Sequence, residues 1–254
     1  MMRRTPLAAL LLGLATAACA SGRAPSPAAA PPSVAAVPVV VPGALRWFRA
    51  SAERRAAYLQ AYRLAGEVVT RRAGGLAAGS WAVVLDGDET VLDNAPYEQG
   101  LVERGATYDS ASWNAWVRRG VAADLPGAIG FTALVRQLGG RVVIVTNRDE
   151  AFCAATRANL VRARITADEV LCRTDRSTDS KDPRFDAVAR GVAPSVLPPL
   201  RVVMWVGDNI QDFPHTTQAV RTAGDEAFGD FGERFFVLPN PMYGSWEHNP
   251  LPPR

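Results

Sequence analysis

Asp86 and Asp88 stand two residues apart, directly after the apolar run Trp81-Ala-Val-Val-Leu85, and Thr90 follows two residues later. Buried carboxylates are costly to desolvate unless they hold a metal or take part in proton and phosphoryl chemistry. A short, unbroken apolar run is how a strand of a parallel sheet reads, because both of its faces are covered. Ligand sites in open α/β sheets lie just beyond the carboxyl ends of such strands. The pair is therefore placed for metal binding or acid–base work. An EF-hand calcium loop also opens Asp-x-Asp-x-Thr, but here its sixth position is Val91 instead of Gly and its twelfth is Tyr97 instead of Glu.

Three further segments carry complementary groups. Thr146-Asn147 follows the apolar run 141–145. A hydroxyl and backbone N–H groups there, at a helix N-terminus, suit phosphate oxygens, although capping is the plainer role of such a Thr. Lys181, in Ser177-Thr-Asp-Ser-Lys181-Asp-Pro-Arg184, offers the cation that a dianion needs when it approaches several carboxylates. Arg184 either reinforces it or faces water. Gly207-Asp208-Asn209-Ile-Gln-Asp212-Phe213 follows the run 201–206 and brings two more acids.

The segment Asp86-Gly-Asp88-Glu-Thr90 resembles motif I (Asp-x-Asp-x-Thr) of the haloacid dehalogenase (HAD) superfamily of phosphatases. Its longer form, through Asp93-Asn94-x-Pro96-Tyr97, is similar to the class C acid phosphatases of subfamily IIIB, a family of bacterial lipoprotein 5'-nucleotidases. The resemblance runs from Trp47 to Trp246, with the four motifs in the family's order and the tail Leu238-Pro-Asn-Pro-Met-Tyr-Gly-Ser-Trp246 included. It implies that Asp86 is the nucleophile and forms an aspartyl-phosphate. Asp88 would be the general acid and then the base, with Thr90 fixing the loop. Thr146, Asn147 and Lys181 would bind phosphate. Mg²⁺ would be held by the Asp86 side chain, the Asp88 backbone carbonyl and the Asp208 side chain. Asp212 would steady Lys181 or reach the metal through water.

What the resemblance implies about activity is a phosphomonoesterase for 5'-nucleotides and simple aryl or alkyl phosphates, working best in mild acid. Asp88 must start protonated, and crowded carboxylates favour that form, so activity is expected to fall above neutral pH. Trp113 and Tyr243, with Tyr97 as a third candidate, could stack a nucleobase; packing of the insert is the alternative for Trp113 and Trp116. Two rival functions remain in view: a phosphotransferase of the same fold, and a non-catalytic surface lipoprotein that captures a nucleotide. The full set of acids argues against the second. A dehalogenase is disfavoured because it has no need of Asp88. His215 and His248 stand in no metal-ligand spacing, and the Arg-His-Gly motif of histidine phosphatases is absent.

The 254 residues, 48% hydrophobic and 21% charged, suit one α/β domain with appendages. Net charge is +3, and Arg3 and Arg4 of the leader carry two of those charges, leaving +1 on the remainder. No Lys/Arg run interleaved with aromatics is present, so nucleic acid is not an expected partner. Residues 1–18 read as an export signal, with an apolar stretch 7–14 that is short of the roughly 20 residues of a membrane span. Thr16-Ala17-Ala18-Cys19 resembles a lipobox, which would place a lipid on Cys19. Ordinary cleavage after Ala15-Thr16-Ala17 is the alternative. The lipoprotein is favoured because residues 19–43 then read as a Pro/Ala-rich tether. The chain is thus expected in a bacterial cell envelope, anchored by lipid in the outer membrane or facing the periplasm. A homodimer is left open, as is the choice between a Cys153–Cys172 disulfide and two buried thiols.

The elements that must position these groups are read from periodicity. A helix spans 45–72, with Tyr58, Tyr62, Ala65 and Val69 on one stripe and Gly74-Gly75 as its stop. Strands at 82–85, 141–145, 170–171, 201–206 and 234–238 alternate with helices at 127–138 and through Leu160, while Lys181 sits in a loop. The expected architecture is α/β: a doubly wound, HAD-like parallel sheet with an N-terminal helix and a small, mostly helical cap or insert at about 97–125. The domain is set at 44–254.

Overall fold

The computed structural model describes residues 40–251. The expected leader, Cys19 and the tether through residue 39 lie outside the described residues. In chain order the elements are helices α1 (Gly43–Ala50) and α2 (Ala52–Ala73), strands β1 (Trp81–Leu85) and β2 (Leu92–Asp93), helices α3 (Ala95–Glu103) and α4 (Ser110–Arg119), strand β3 (Ala123–Asp124), helix α5 (Ala128–Gln137), strand β4 (Arg141–Asp149), helix α6 (Cys153–Arg162), strand β5 (Glu169–Arg173), helix α7 (Asp182–Arg190), and strands β6 (Arg201–Gly207) and β7 (Phe235–Val237).

Among the described residues, five strands form a parallel sheet in the order β5-β4-β1-β6-β7. Every residue of β1 is buried, as a central parallel strand requires. Its side chains alternate between the two faces. Val83 and Leu85 join a core with Tyr58, Tyr62 and Val69 of α2 and Phe131 of α5, whereas Ala82 and Val84 meet Val143, Val145 and the α7 residues Phe185 and Val188. The strand order reverses between β1 and β6, and the crevice at such a reversal is where α/β sheets bind ligands. No helix among the described residues is long and apolar enough to cross a membrane.

The structure departs from the sequence reading in three places. The N-terminal helix is two helices, because Ser51 is extended (φ −85°, ψ 145°) and its hydroxyl caps α2 by accepting from Arg54 N at 3.0 Å. The second departure is α7, which occupies what reads as loop and starts directly after Lys181. Finally, β4 continues to Asp149 instead of ending at Val145, since Asp149 pairs with Arg173 beyond an irregularity in the ladder. The expected helical insert is present and contains α3 and α4, the latter capped by Asp109, which accepts from Ala111 N and Ser112 N. Its ends are pinned by the small antiparallel ribbon of β2 and β3.

Cys153 and Cys172 are joined by a disulfide that ties the start of α6 to β5.

Candidate active site

β1 carries Asp86 just past the sheet, where its backbone N–H still donates to Val206 O of β6 at 3.0 Å. The chain then folds back on itself: the N–H groups of Val91 and Leu92 both donate to Gly87 O, at 3.1 and 2.9 Å. Glu89 takes a left-handed conformation (φ 48°) to complete that turn, and its buried carboxylate accepts from Asn94 N at 2.7 Å. Such a residue persists only when its surroundings hold it. Two tyrosines of α2 do so. Tyr58 donates to Glu89 O at 2.5 Å and Tyr62 to Thr90 O at 2.8 Å. Burial, followed by the charge of Asp208, raises both phenols well above their ordinary value, so both remain donors.

Lys181, 4% exposed, enters from the other side of the crevice. Its ammonium donates to Asp86 Oδ1 and, at 2.7 Å, to Asp212 Oδ1. Burial draws the amine down, but Asp212 and Asp86 outweigh it and lift the group to about 12. Burial lifts Asp86 to about 7, with Lys181 opposing and Asp212 and Asp88 adding. Asp208 is raised as well, by burial and then by Asp212 and Asp86. It accepts from Thr90 Oγ1 at 3.1 Å and Asn240 Nδ2 at 2.9 Å. Asp212 is fixed through its second oxygen by Asn209 N at 2.8 Å. Its side chain lies so close over Gly207 that any Cβ there would collide with it.

Carboxylate oxygens of Asp86, Asp208 and Asp212 lie within 4.8 Å of one another. Several hard, mostly buried anionic oxygens gathered around a single lysine fit a divalent cation of the Mg²⁺ type.

Thr146 and Asn147 do not sit at a helix N-terminus, which corrects the sequence reading. Both lie in the extended end of β4, and α6 begins only at Cys153, after a 3-10 turn at Glu150–Phe152. Thr146 is fully buried behind the cavity wall, its hydroxyl accepting from Arg148 N at 3.2 Å. Asn147 does face the cavity, donating to Asp179 O at 2.9 Å while its amide oxygen accepts from Arg184. Arg184 is buried and also donates to Thr146 O, so it joins the end of β4 to α7.

The cavity above these groups holds about 1050 Å³ and is lined by Asp86, Asp88, Lys181 and Asp208 together with Trp113 of α4 and Tyr243 of the tail. Tyr97 is not at the mouth. It lies beneath Trp113, ring centroids 5.2 Å apart, with its hydroxyl hydrogen-bonded to Ser112 Oγ at 2.9 Å. Trp116 is buried and donates to Asn94 Oδ1 at 2.8 Å. His215 is an exposed partner of Asp182, and His248 stands at the rim.

Asp88 is placed differently from the expectation of an acid among acids. Its direct partners are a guanidinium and an amide: Arg148 Nη2 and Asn94 Nδ2 each donate to Oδ1 at 2.7 Å. Sequence reasoning missed Asn94, Arg148, Tyr58 and Tyr62 as parts of the site. The signal for the first two was present, since each follows directly on a motif residue at a strand end.

A family description, HAD superfamily, subfamily IIIB (Acid phosphatase), matches residues 8–246. The chain belongs to this family of acid phosphatases. Two structures of the class C acid phosphatase from Bacillus anthracis share its fold. One, solved with tungstate bound, superposes with a TM-score of 0.70 at 30% identity, covering 80% of this chain and 85% of that one. The other gives 0.69 at 31% identity with the same coverage. Acid phosphatase 1 of Solanum lycopersicum is 26% identical over 161 residues, which is 63% of this chain and 57% of the tomato protein. The match therefore spans less than two thirds of the tomato protein's length.

Proposed function

We propose that this chain is an exported, Mg²⁺-dependent acid phosphomonoesterase that hydrolyses 5'-nucleotides and related monoesters through a phosphoaspartate. The observation that carries the reading is the floor of the cavity. Asp86 is held by Lys181 beside Asp208 and Asp212, Asp88 stands next to it, and Trp113 and Tyr243 lie at the mouth. A volume of about 1050 Å³ exceeds what inorganic phosphate needs and leaves room for a nucleoside. Tungstate, bound by the related Bacillus anthracis enzyme, is a tetrahedral oxyanion of the same kind as phosphate.

In the first step an Asp86 oxygen bonds to phosphorus as the bond to the leaving alcohol breaks, and Asp88 gives its proton to the departing oxygen. Water then attacks phosphorus and passes a proton to Asp88; the phosphorus–Asp86 bond breaks and inorganic phosphate leaves. Lys181 balances the charge of the dianion against the surrounding acids. A bound Mg²⁺, held by Asp86, Asp208 and the Asp88 carbonyl, would supply Lewis-acid stabilisation of the phosphoryl oxygens. The leader supports export. So does the disulfide, which belongs in an oxidising compartment, with Cys19 as the proposed anchor.

The test is phosphate release from 5'-AMP near pH 5.5 by the purified full chain, with Mg²⁺ or with EDTA, beside Asp86→Asn. Release that requires both the metal and Asp86 is expected. A metal-loaded, folded chain that releases phosphate from neither AMP nor an aryl ester would leave only ligand capture. The acid preference implied by the family is expected to show as activity that falls above neutral pH; a flat profile from pH 5 to 9 overturns that.

A further inference from the structure

Arg148 is 2% exposed and lies beside Asp88 and Trp113, which line the cavity. The guanidinium runs alongside Asp88: Nη2 donates to Oδ1 at 2.7 Å, and Nε contacts Oδ1 at 3.0 Å and Oδ2 at 3.2 Å. Asn94, fully buried, donates through Nδ2 to the same Oδ1 at 2.7 Å. Asn94 is in turn held from several sides. Its Nδ2 reaches Glu89 Oε2 at 3.2 Å and its N–H donates to Oε1 of the same side chain at 2.7 Å. Its amide oxygen accepts from Trp116 Nε1 at 2.8 Å and Arg148 Nη2 at 3.2 Å. The Arg148 guanidinium also lies 5.7 Å from the Trp113 ring centroid.

The two oxygens of Asp88 are thereby made unequal. Oδ1 receives three N–H contacts and has no room for a proton, whereas Oδ2 receives one long contact. Buried polar groups held on all sides keep a single geometry. A planar guanidinium fixes a carboxylate in two directions, which a lysine ammonium cannot do.

We propose that Arg148 and Asn94 are positioning residues for the leaving-group step: they confine the transferable proton of Asp88 to Oδ2 and aim that oxygen at the departing alcohol. Neither residue touches the phosphate in this assignment; both act through Asp88. The proposal rests on the phosphomonoesterase reading above.

The test compares kcat/KM, which reports only steps through the first bond cleavage, for two esters in the presence of Mg²⁺. 5'-AMP has an alkoxide leaving group that needs a proton; 2,4-dinitrophenyl phosphate has one that does not. For Arg148→Met, kcat/KM with AMP is expected to fall roughly 10²-fold, the scale of general acid catalysis, and with the dinitrophenyl ester by less than about threefold. Arg148→Lys should restore only part of the loss. Combined with Asp88→Asn, Arg148→Met should add nothing further to the loss with AMP, because coupled residues are not additive. Inhibition by inorganic phosphate should be unchanged, which reads the integrity of the rest of the site. Asn94→Ala should show the same selective loss and carries the test if Arg148→Met does not yield folded protein. Equal losses for both esters, or losses that multiply with Asp88→Asn, overturn the proposal. A wild-type chain that turns over neither ester would instead strike the reading on which it rests.

Discussion

Asp86 faces conflicting demands. As the proposed nucleophile it must be ionised, yet burial lifts it from 3.8 to about 7. A carboxyl raised in the folded state lowers stability as pH climbs from the unfolded to the folded value, here between about pH 4 and pH 7, and the full penalty stands above that window. Asp86→Asn is therefore expected to gain thermal stability over the wild type in EDTA at pH 8 and to gain much less at pH 5; an equal gain at both would show that the penalty lies elsewhere. Trp113 has a more peripheral role. Removing a stacking platform costs about 1–3 kcal/mol per base, so Trp113→Ala should raise KM for AMP well above its effect on a simple alkyl phosphate, and an unchanged ratio discards the stacking. The residues that converge on the floor were legible because each acid follows an apolar run, a juxtaposition that burial makes expensive. Tyr58 and Tyr62 were not. A hydroxyl that meets a loop carbonyl 31 or 28 residues away leaves no periodic trace, and both tyrosines read as ordinary members of an apolar stripe.

Elements set how far these groups can stray. The disulfide closes a span of 19 residues between α6 and β5, beside the strand that delivers Asn147 and Arg148. Loops of that size are stabilised by about 3 kcal/mol when cross-linked. Reduction should lower the free energy of urea unfolding by roughly that amount, and a reduced protein of equal stability would mean that packing alone holds α6. The sheet and its strand order were readable from apolar runs, since a strand buried on both faces needs nothing else to declare itself. Three features were hidden for physical reasons. The break at Ser51 depends on one hydroxyl, α7 starts where polar turn residues dominate, and the extension of β4 is set by a pairing with Arg173 that no local pattern encodes. The helical insert was recognised by its length, although its first helix, α3, starts at Ala95 with no side-chain cap to mark it.

At the scale of the molecule, the tail after β7 returns to the centre. Asn240 Nδ2 donates to Asp208 Oδ2 at 2.9 Å, and Pro239 O receives the hydroxyl of Tyr58 at 3.4 Å. Partners that orient a metal-binding carboxylate typically govern 10- to 100-fold of affinity. On the proposed Mg²⁺-dependent hydrolysis, Asn240→Ala should raise the Mg²⁺ concentration that half-activates turnover of AMP by about 10-fold or more, whereas an unaltered titration would make the contact merely structural. The same closure bears on how the molecule matures. Lys181 meets Asp86 across 95 residues of sequence, and Asn240 meets Asp208 from the tail that follows β7, the strand paired with β6. Contacts so distant in sequence form late and slowly compared with helices. A partly refolded chain would present acids without their cation and without their last amide. After dilution from urea, turnover can return no sooner than the slowest of these long-range closures, so catalysis counts finished molecules while helical signal counts unfinished ones as well.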